Sequence, residues 1–233
     1  MGREILIGIL INGLAVVIGT AIGCLFKQHL KEKYIDALWL ALGLAALGVG
    51  VNTVVNYMNK SNFPLLFVVS LTLGALIGKF FEVDQHVESL LETKFTSELA
   101  KGVATATFLD CIGALSLLGP INAAKTGDLT FLLTNASLTF VCAIIFGASF
   151  GWGMLLETPI LLGWFFLIFC LVKVGFANFF SMELVNELCL VGGFLITASG
   201  ISLLKIREIK SLDLLPSLLV PIFYFLGKMI FHY

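Results

Sequence analysis

Stretches of uncharged, mostly apolar residues, most of them about 20 long, recur along almost the whole chain. Such a stretch, folded as an α-helix, is long enough to cross the roughly 30 Å hydrocarbon core of a membrane. The pattern predicts an all-α integral membrane protein, a single domain over residues 1–233 built as a bundle of about eight transmembrane helices. The predicted spans cover residues 5–26, 37–57, 64–81, 102–118, 129–156, 159–179, 188–204 and 214–231.

The composition agrees with this class and excludes several others. Hydrophobic residues make up 59% of the 233 residues, charged residues make up 12%, and the mean hydropathy is +1.04. No room remains for a soluble catalytic domain, which needs at least about 50 residues. The net charge of −1 supplies no basic field for nucleic acid, so the expected surroundings are the lipid bilayer.

The sequence contains no recognisable catalytic or metal-binding motif. The five cysteines lie in or beside apolar runs without a CxxC pair, which indicates packing residues rather than a disulfide framework or a zinc site. The three histidines lie in predicted loops or at the terminus, without the spacing of zinc ligands. No P-loop, dinucleotide fingerprint or nucleophile–base arrangement occurs. We therefore expect no metal, no cofactor and no enzymatic activity.

Lysine and arginine positions predict the orientation, because cytoplasmic loops carry an excess of both. With the N-terminus outside, the inner segments hold nine basic residues: Lys27, Lys31, Lys33, Lys79, Lys94, Lys101, Lys205, Arg207 and Lys210. The outer segments hold five: Arg3, Lys60, Lys125, Lys173 and Lys228. We therefore expect both termini to lie outside the cytoplasm.

The longest polar segment, residues 82–101, has apolar residues at roughly helical spacing. This spacing predicts a short amphipathic connector helix on the cytoplasmic face. Its acidic residues slightly outnumber its lysines, so its attraction to anionic lipid should be weak. A solvated connector explains the segment more simply than a membrane sensor or a partner site does.

Three small-xxx-small pairs predict close helix packing: Gly19 with Gly23, Gly74 with Gly78, and Gly147 with Gly151. Such faces let helix backbones approach each other where no hydrophobic effect drives association. The same faces could also join two copies of the chain, so a homo-oligomer is a possible partner state.

A looser pattern indicates internal repetition, because landmarks in spans two and three have counterparts in spans seven and eight. The residues Gly43, Gly50, Pro64 and Gly78-Lys79 correspond to Gly193, Gly200, Pro216 and Gly227-Lys228. Many transporters are built from such repeats, often inverted. The alternative is chance matching in Gly-rich apolar sequence. A duplication would give repeat halves of about residues 1–125 and 126–233.

Asp110 is the first candidate for chemistry, because it lies in the middle of span four in the sequence TATFLDCIGALS. Placing a carboxylate in the bilayer costs at least about 2.5–3.5 kcal/mol, so this side chain should face the interior of the bundle. There, with Thr107 nearby, it could bind a cation, relay a proton or form an ion pair. The alternative is a carboxyl group hydrogen-bonded to a neighbouring helix. Lys173 is a candidate counter-charge, although snorkelling to the outer interface is its simpler role.

The start of span seven supplies a second polar group. Glu183, Asn186 and Glu187 fall on one helical face. The helix dipole favours carboxylates at a helix N-terminus, which accounts for them structurally. The alternative is a cation or polar-substrate site near the outer mouth. Asn122 follows a Gly-Pro break after span four, and such a break could line a cavity, although an ordinary outer loop explains it more simply.

Four stretches of the chain resemble a known family in their order and spacing. They are NGLAVVIGTAIGCLFKQHL with ALGLAALGVG after it, LTLGALIGKFFEVDQHVESL, residues 101–128, and NELCLVGGFLITASGISLL with LLPSLLV. Together they cover most of the chain and resemble the DUF554 family of bacterial multi-pass membrane proteins. The resemblance implies a bacterial inner-membrane protein of poorly defined function, often interpreted as a transporter. It supplies no established catalytic or binding residues.

The chain departs from the pattern that this resemblance implies at a few intramembrane positions. Asp110 stands where the family pattern implies an apolar residue. Asn135, Thr139 and Phe140 stand where it implies a lysine and then an Asp-Gly pair. These exchanges could mean a relocated charge, or an altered or lost function.

The leading functional hypothesis is a transporter or channel for a small solute or ion. Asp110 would line its polar path, helped by Thr107, Asn122 and the Glu183 and Glu187 end of span seven. The alternative is a non-transporting scaffold or assembly partner whose intramembrane polar residues only fasten helices. A transporter predicts a hydrated cavity that reaches Asp110, whereas a scaffold predicts a dry, fully packed core.

Overall fold

The computed structural model describes residues 2–27, 32–83, 85, 97–176 and 179–230, and the helices and contacts below are those of these residues. They form nine α-helices: α1 (Gly2–Lys27), α2 (Glu32–Met58), α3 (Leu66–Phe81), α4 (Ser97–Ile112), α5 (Ala114–Thr126), α6 (Thr130–Phe150), α7 (Glu157–Lys173), α8 (Met182–Leu203) and α9 (Leu219–Ile230). The 3₁₀ segments Gly151–Leu156 and Ser211–Leu218 precede α7 and α9. Since the described ranges contain no β-strand, the all-α prediction is confirmed.

Five helical stretches in the described ranges are long and apolar enough to cross a membrane: Leu6–Lys27, Leu40–Met58, Thr130–Lys173, Met182–Leu203 and Ser211–Ile230. A sixth results if α4 and α5, which are bent by 44° at their junction, count as one span. Helix α3 is apolar but has only 16 residues. The predicted membrane class is therefore confirmed, while the number of eight spans stays a prediction.

The 44-residue stretch that contains α6 and α7 turns back on itself. Helix α6 ends beside the end of α1, where the ammonium group of Lys27 donates a hydrogen bond to the carbonyl of Ser149 at 3.0 Å. Helix α7 then returns along α1, with Leu162 against Gly13. Gly151 makes the turn with a φ of +82°, which glycine adopts without strain. At about 1.5 Å per residue the stretch is twice as long as a bilayer core is thick, so it can form two passes.

Basic residues gather at one end of the bundle, which we call the basic end. Lys27 ends α1 there, and Lys79 lies in the last turn of α3. Lys101, near the start of α4, forms an ion pair with Glu208 in the loop that follows α8. This is the end that the lysine distribution predicts to be cytoplasmic. Helix α1 begins and α9 finishes at the opposite end, and the inside–outside orientation stays a prediction.

Glycines bring α1 and α6 into backbone contact. A Cβ on Gly19 would lie 2.7 Å from the carbonyl oxygen of Phe140, and one on Gly147 would lie 2.7 Å from that of Thr20. Gly23 faces the backbone of α6 in the same way. These small residues therefore join two helices within one chain, and a homo-oligomer stays a prediction.

The remaining small-residue positions behave in two ways. Gly74 and Gly78 of α3 lie against the backbone of Ser217 and Asp213, so this pair packs α3 onto the 3₁₀ segment before α9. Gly151 has no helix against it; a Cβ there would meet only the ammonium of Lys27 at 3.5 Å. Its role is the turn described above rather than the packing expected from its spacing to Gly147.

Helices α2 and α8 pack antiparallel through contacts that occur in matched pairs. Adding 150 to a residue number takes Gly50 to Gly200 and Leu47 to Thr197. A Cβ on Gly50 would lie 2.5 Å from the amide nitrogen of Thr197, and a Cβ on Gly200 would lie 2.6 Å from that of Leu47. Each contact is therefore the image of the other when the two helices exchange places.

A second matched pair follows the same shift, which takes Gly43 to Gly193 and Val54 to Leu204. A Cβ on Gly43 would lie 3.1 Å from the amide nitrogen of Leu204, and one on Gly193 would lie 3.0 Å from that of Val54. The shift also carries α1 onto α7 and α3 onto α9, with the chain direction reversed each time. The matched contacts thus relate α2 to α8, and an inverted repeat of α1–α3 and α7–α9, with α4–α6 between them, stays a prediction. The boundaries 1–125 and 126–233 remain a prediction.

The predicted connector helix over residues 82–101 lies for the most part outside the described residues. From this segment the structure describes residues 82, 83 and 85, and α4 from Ser97 onward.

Candidate functional site: a buried polar chain beside an apolar cavity

Asp110 contacts a second carboxyl group, that of Glu157, which the sequence analysis missed. Asp110 lies near the end of α4 with 6% of its surface exposed, and Glu157 is the first residue of α7 with 1% exposed. The two side chains lie within hydrogen-bonding reach of each other, and we call them the acid pair. Two carboxyl groups make such a bond only if at least one is protonated, because two carboxylates offer only acceptors. A hydrogen bond between Asp110 and Glu157 therefore requires a proton on one of the two.

A line of buried side chains continues from the acid pair toward α1. The hydroxyl of Thr139 lies within hydrogen-bonding reach of Asp110 and accepts a hydrogen bond from Nδ2 of Asn135 at 3.3 Å. The same Nδ2 donates to Oδ1 of Asn12 at 3.2 Å. The hydroxyl of Ser116 donates to Oδ1 of Asn135, also at 3.2 Å. These contacts connect α1, α4, α5, α6 and α7 inside the bundle.

Asn12 ends this line on the backbone. Its Nδ2 donates to the carbonyl oxygens of Gly8 and Leu132 at 3.0 Å each. We call the whole line the polar chain; its members are Asn12, Ser116, Asn135, Thr139, Asp110 and Glu157. Every amide nitrogen and oxygen of its two asparagines has a partner, and amides do not titrate. The asparagine half therefore fastens helices, while the groups that can exchange a proton are those of the acid pair.

A cavity of about 650 Å³ lies between α4, α7 and the 3₁₀ segment before α9. Its walls are almost entirely apolar. Thr107, one helical turn before Asp110, and Trp164 of α7 contribute to the wall, and Oγ1 of the first and Nε1 of the second have no hydrogen-bond partner among the described residues. Asp110 itself is not part of the wall. The cavity is large enough for a small molecule.

The helix break occurs at a different place from the one expected. Gly113 has a ψ of 157°, which no α-helix accommodates, so α4 ends before it and α5 begins after it. Helix α5 continues through Pro120, where the sequence analysis placed the break. Asn122 is half-buried on this helix, twelve residues beyond Asp110, and its side chain is not part of the polar chain. The structure therefore does not bring Asn122 to Asp110.

Glu183 and Glu187 lie at the opposite end of the bundle from the basic end, apart from the acid pair. Lys228 of α9 forms an ion pair with Glu183 at 3.1 Å, and Nδ2 of Asn62 donates to the same carboxylate at 3.3 Å. The hydroxyl of Ser61 donates to Glu187. The two carboxylates thus connect α8 to α9 and to the loop after α2, which agrees with their structural interpretation.

Lys173 does not supply a counter-charge to Asp110. It is exposed at the end of α7, with its ammonium group 6.0 Å from the centre of the Phe169 ring. This position is the interfacial one expected of a snorkelling lysine. The partner of Asp110 is instead Glu157, whose signal was present in the sequence. It is the single charged residue between positions 129 and 172, in a stretch that is otherwise apolar or uncharged.

Comparison with known proteins places the chain in a family. The model of the family described as "Protein of unknown function (DUF554)" matches residues 7–226. The chain belongs to the DUF554 family. It is 39% identical to the "Uncharacterized membrane protein YdfK" of Bacillus subtilis, over 92% of this chain and 93% of that protein. It is 27% identical to the "Uncharacterized protein YqgA" of Escherichia coli, over 92% and 94% of the two chains. No solved structure matches it.

Family membership gives the acid pair additional interest. The resemblance implied an apolar residue at position 110 and an Asp-Gly pair in α6, where this DUF554 protein has Thr139 and Phe140. The structure brings Thr139 into hydrogen-bond contact with Asp110. The positions at which the chain departs from the pattern that the resemblance implies therefore include two neighbouring side chains.

Proposed function

We propose that this DUF554 protein is a transporter of the bacterial inner membrane for a small solute or ion. The observation that carries the proposal is the set of matched contacts between α2 and α8, which an inverted repeat of α1–α3 and α7–α9 would produce. In transporters built this way, the two repeats take up different arrangements and exchange them, which opens a central site to each side in turn. A scaffold has no need of such a symmetry.

The interrupted helices support the same function. One interruption is the bend at Gly113 between α4 and α5, and the other is the 3₁₀ segment Ser211–Leu218 before α9. Residues from α4 and from the 3₁₀ segment line the 650 Å³ cavity together. Transporter substrate sites are commonly formed by discontinuous helices, because irregular backbone is tolerated at membrane depth where it lines a cavity. We propose this cavity, with Thr107 and Trp164 in its wall, as the substrate site.

The acid pair supports transport over a purely structural role. Carboxyl groups at membrane depth are costly, and they commonly mark ion pathways or proton relays. A structural role would be served as well by amides such as those of Asn12 and Asn135, whose nitrogen and oxygen atoms all have hydrogen-bond partners. The protein retains two carboxyl groups here instead. We assign them to transport rather than to catalysis.

Solvent access to the cavity tests the proposal. Single cysteines would replace Thr107 and, separately, Asp110 in a cysteine-free background, and intact and inverted vesicles would be treated with a membrane-impermeant thiol reagent. We expect Thr107→Cys to be labelled from at least one side. Leu132→Cys is the negative control because Leu132 has 0% exposure, and Asp128→Cys is the positive control because Asp128 lies in an exposed loop.

Absence of labelling at both positions, with the Asp128→Cys control labelled and the protein folded, would contradict the proposal. That result would favour the scaffold hypothesis, which predicts a dry core. The side from which Asp128→Cys is labelled also determines the orientation, since we expect that loop to lie outside the cytoplasm.

A further inference from the structure

We propose that Asp110 and Glu157 form a proton-binding site that takes up and releases a single proton. The proposal rests on the transport function for its role in the cell, because it names the proton as the coupling ion. The site itself is a property of the folded protein without substrate. Its test can therefore fail or succeed independently of transport.

The contact between the two carboxyl groups defines the occupancy of the site. With no proton, two negative charges would face each other in a low-dielectric interior, which is strongly unfavourable. With one proton, the carboxylic acid can donate to the carboxylate, and the hydroxyl of Thr139 lies within hydrogen-bonding reach of Asp110. Oε1 of Glu157 receives no hydrogen bond from an N–H or O–H group in the described part of the protein. A proton shared by the two carboxyl groups therefore supplies a hydrogen-bond donor that the surrounding side chains do not provide to Glu157.

The groups that face the acid pair do not neutralise it. The thiol of Cys111 on α4 and the thiol of Cys142 on α6 are the titratable side chains within electrostatic reach. Lys27 of α1 lies near the turn before α7, but its ammonium group is bound to the carbonyl of Ser149. No lysine or arginine of the described ranges forms an ion pair with either carboxyl group. Within the described ranges, a proton is therefore the positive charge proposed to neutralise the pair.

The surroundings of the site favour exchange with the basic end in this conformation. Glu157 directly follows the 3₁₀ turn Gly151–Leu156 at that end, where Trp152 is 55% exposed. In the other direction the polar chain consists of Thr139 and the amides of Asn135 and Asn12, and amides do not accept and pass on protons at ordinary pH. Release of the proton to the opposite end would require a different arrangement of the helices. Alternating access in a transporter provides such a rearrangement.

Infrared spectroscopy of the purified protein tests the site directly. A protonated carboxyl group has a carbonyl stretching band that a carboxylate lacks. The spectrum of the wild type minus that of the double variant Asp110→Asn, Glu157→Gln should contain one such band at neutral pH, and the band should be lost as the pH rises. Glu187→Gln is the matched control, since Glu187 is also buried but lies at the opposite end. The band should persist in that control.

A second measurement covers the case in which the double variant does not fold. Apolar carbodiimides add to protonated carboxyl groups inside membranes, and mass spectrometry of the treated wild-type protein locates the adduct. We expect the adduct on Asp110 or Glu157, with less modification at higher pH. Absence of the infrared band together with absence of an adduct on either residue would overturn the proposal.

The outcomes separate this proposal from the one on transport. A protonated acid pair in a protein whose cavity is closed to thiol reagents would keep the proton site and refute transport. A cavity open to thiol reagents without a protonated pair would keep transport and refute the proton site. Both positive results would justify measuring pH-driven solute uptake in vesicles.

Discussion

Gly50 lies where α2 and α8 come closest, so replacing it with alanine should force the two helices apart. The added Cβ would lie 2.5 Å from the amide nitrogen of Thr197 and 2.9 Å from the carbonyl oxygen of Gly193. The first distance is roughly 0.9 Å shorter than an ordinary contact, and a backbone atom cannot rotate away as a side chain can. Overpacking of this kind costs about 1–3 kcal/mol of unfolding free energy.

A neighbouring glycine supplies the matched control. Gly48 lies on the same helix, and a Cβ there would have nothing within 4 Å. Gly48→Ala therefore reports the gain in helix propensity alone, about 1 kcal/mol. Relative to this control, Gly50→Ala should lower the Tm by roughly 2–12 °C, because 1 kcal/mol corresponds to about 2–4 °C in a protein of this size.

The inverted repeat adds a stricter test. Gly200→Ala should be as destabilising as Gly50→Ala, since its Cβ would lie 2.6 Å from the amide nitrogen of Leu47. The double variant should lose less stability than the sum of the two, because one separation of the helices relieves both clashes. Melting would be followed in detergent by the folded fraction that survives heating. If Gly48→Ala and Gly50→Ala melt together, or Gly200→Ala melts as the wild type does, the close antiparallel contact is refuted.

Three further predictions concern polar groups. Asn135→Ala removes the partner of Asn12 and of Ser116, so the unfolding free energy in a detergent titration should fall by at least about 1–3 kcal/mol; an unchanged value would contradict the polar chain. Glu183→Gln weakens a half-exposed ion pair and should change the unfolding free energy by less than about 1 kcal/mol in the same titration. Two hydrogen bonds from Thr130 hold the pKa of Asp128 below its usual value. The ionised carboxylate thus stabilises the fold above about pH 4, and this contribution is lost as the pH falls through the lowered pKa. The Tm difference between the wild type and Asp128→Ala should then shrink from about pH 7 to about pH 3, and a growing difference would argue against these bonds.

The sequence predicted those features that depend on the bilayer alone. Apolar length identifies helices, because the hydrocarbon core admits little else. Lys173 lies at the end of its helix, as its long charged side chain requires. The correspondence of Gly43 and Gly50 to Gly193 and Gly200 was visible in the sequence. Each of these residues faces the backbone of the neighbouring helix, where a side chain would not fit.

The sequence could not predict which polar groups meet. Glu157 lies between the two predicted spans 129–156 and 159–179, whereas in the structure the helical stretch continues through a 3₁₀ turn and buries this side chain. Its partner Asp110 is 47 positions earlier, and only the packing of α4 against α7 joins them. Glu183 likewise pairs with Lys228, which is 45 positions later in the chain. No local sequence pattern predicts such a pairing.

The short third helix has a consequence for the lipid around it. At about 1.5 Å per residue its 16 residues extend roughly 24 Å, less than the roughly 30 Å of a typical hydrocarbon core. Its outward side chains are well exposed, with Leu76 at 64% and Phe80 at 81%. Beside so short a helix the hydrocarbon core of the bilayer must become thinner, because otherwise apolar lipid would face the polar loops at the ends of α3. The membrane next to α3 should therefore be locally thinner, and the protein should prefer bilayers of shorter acyl chains.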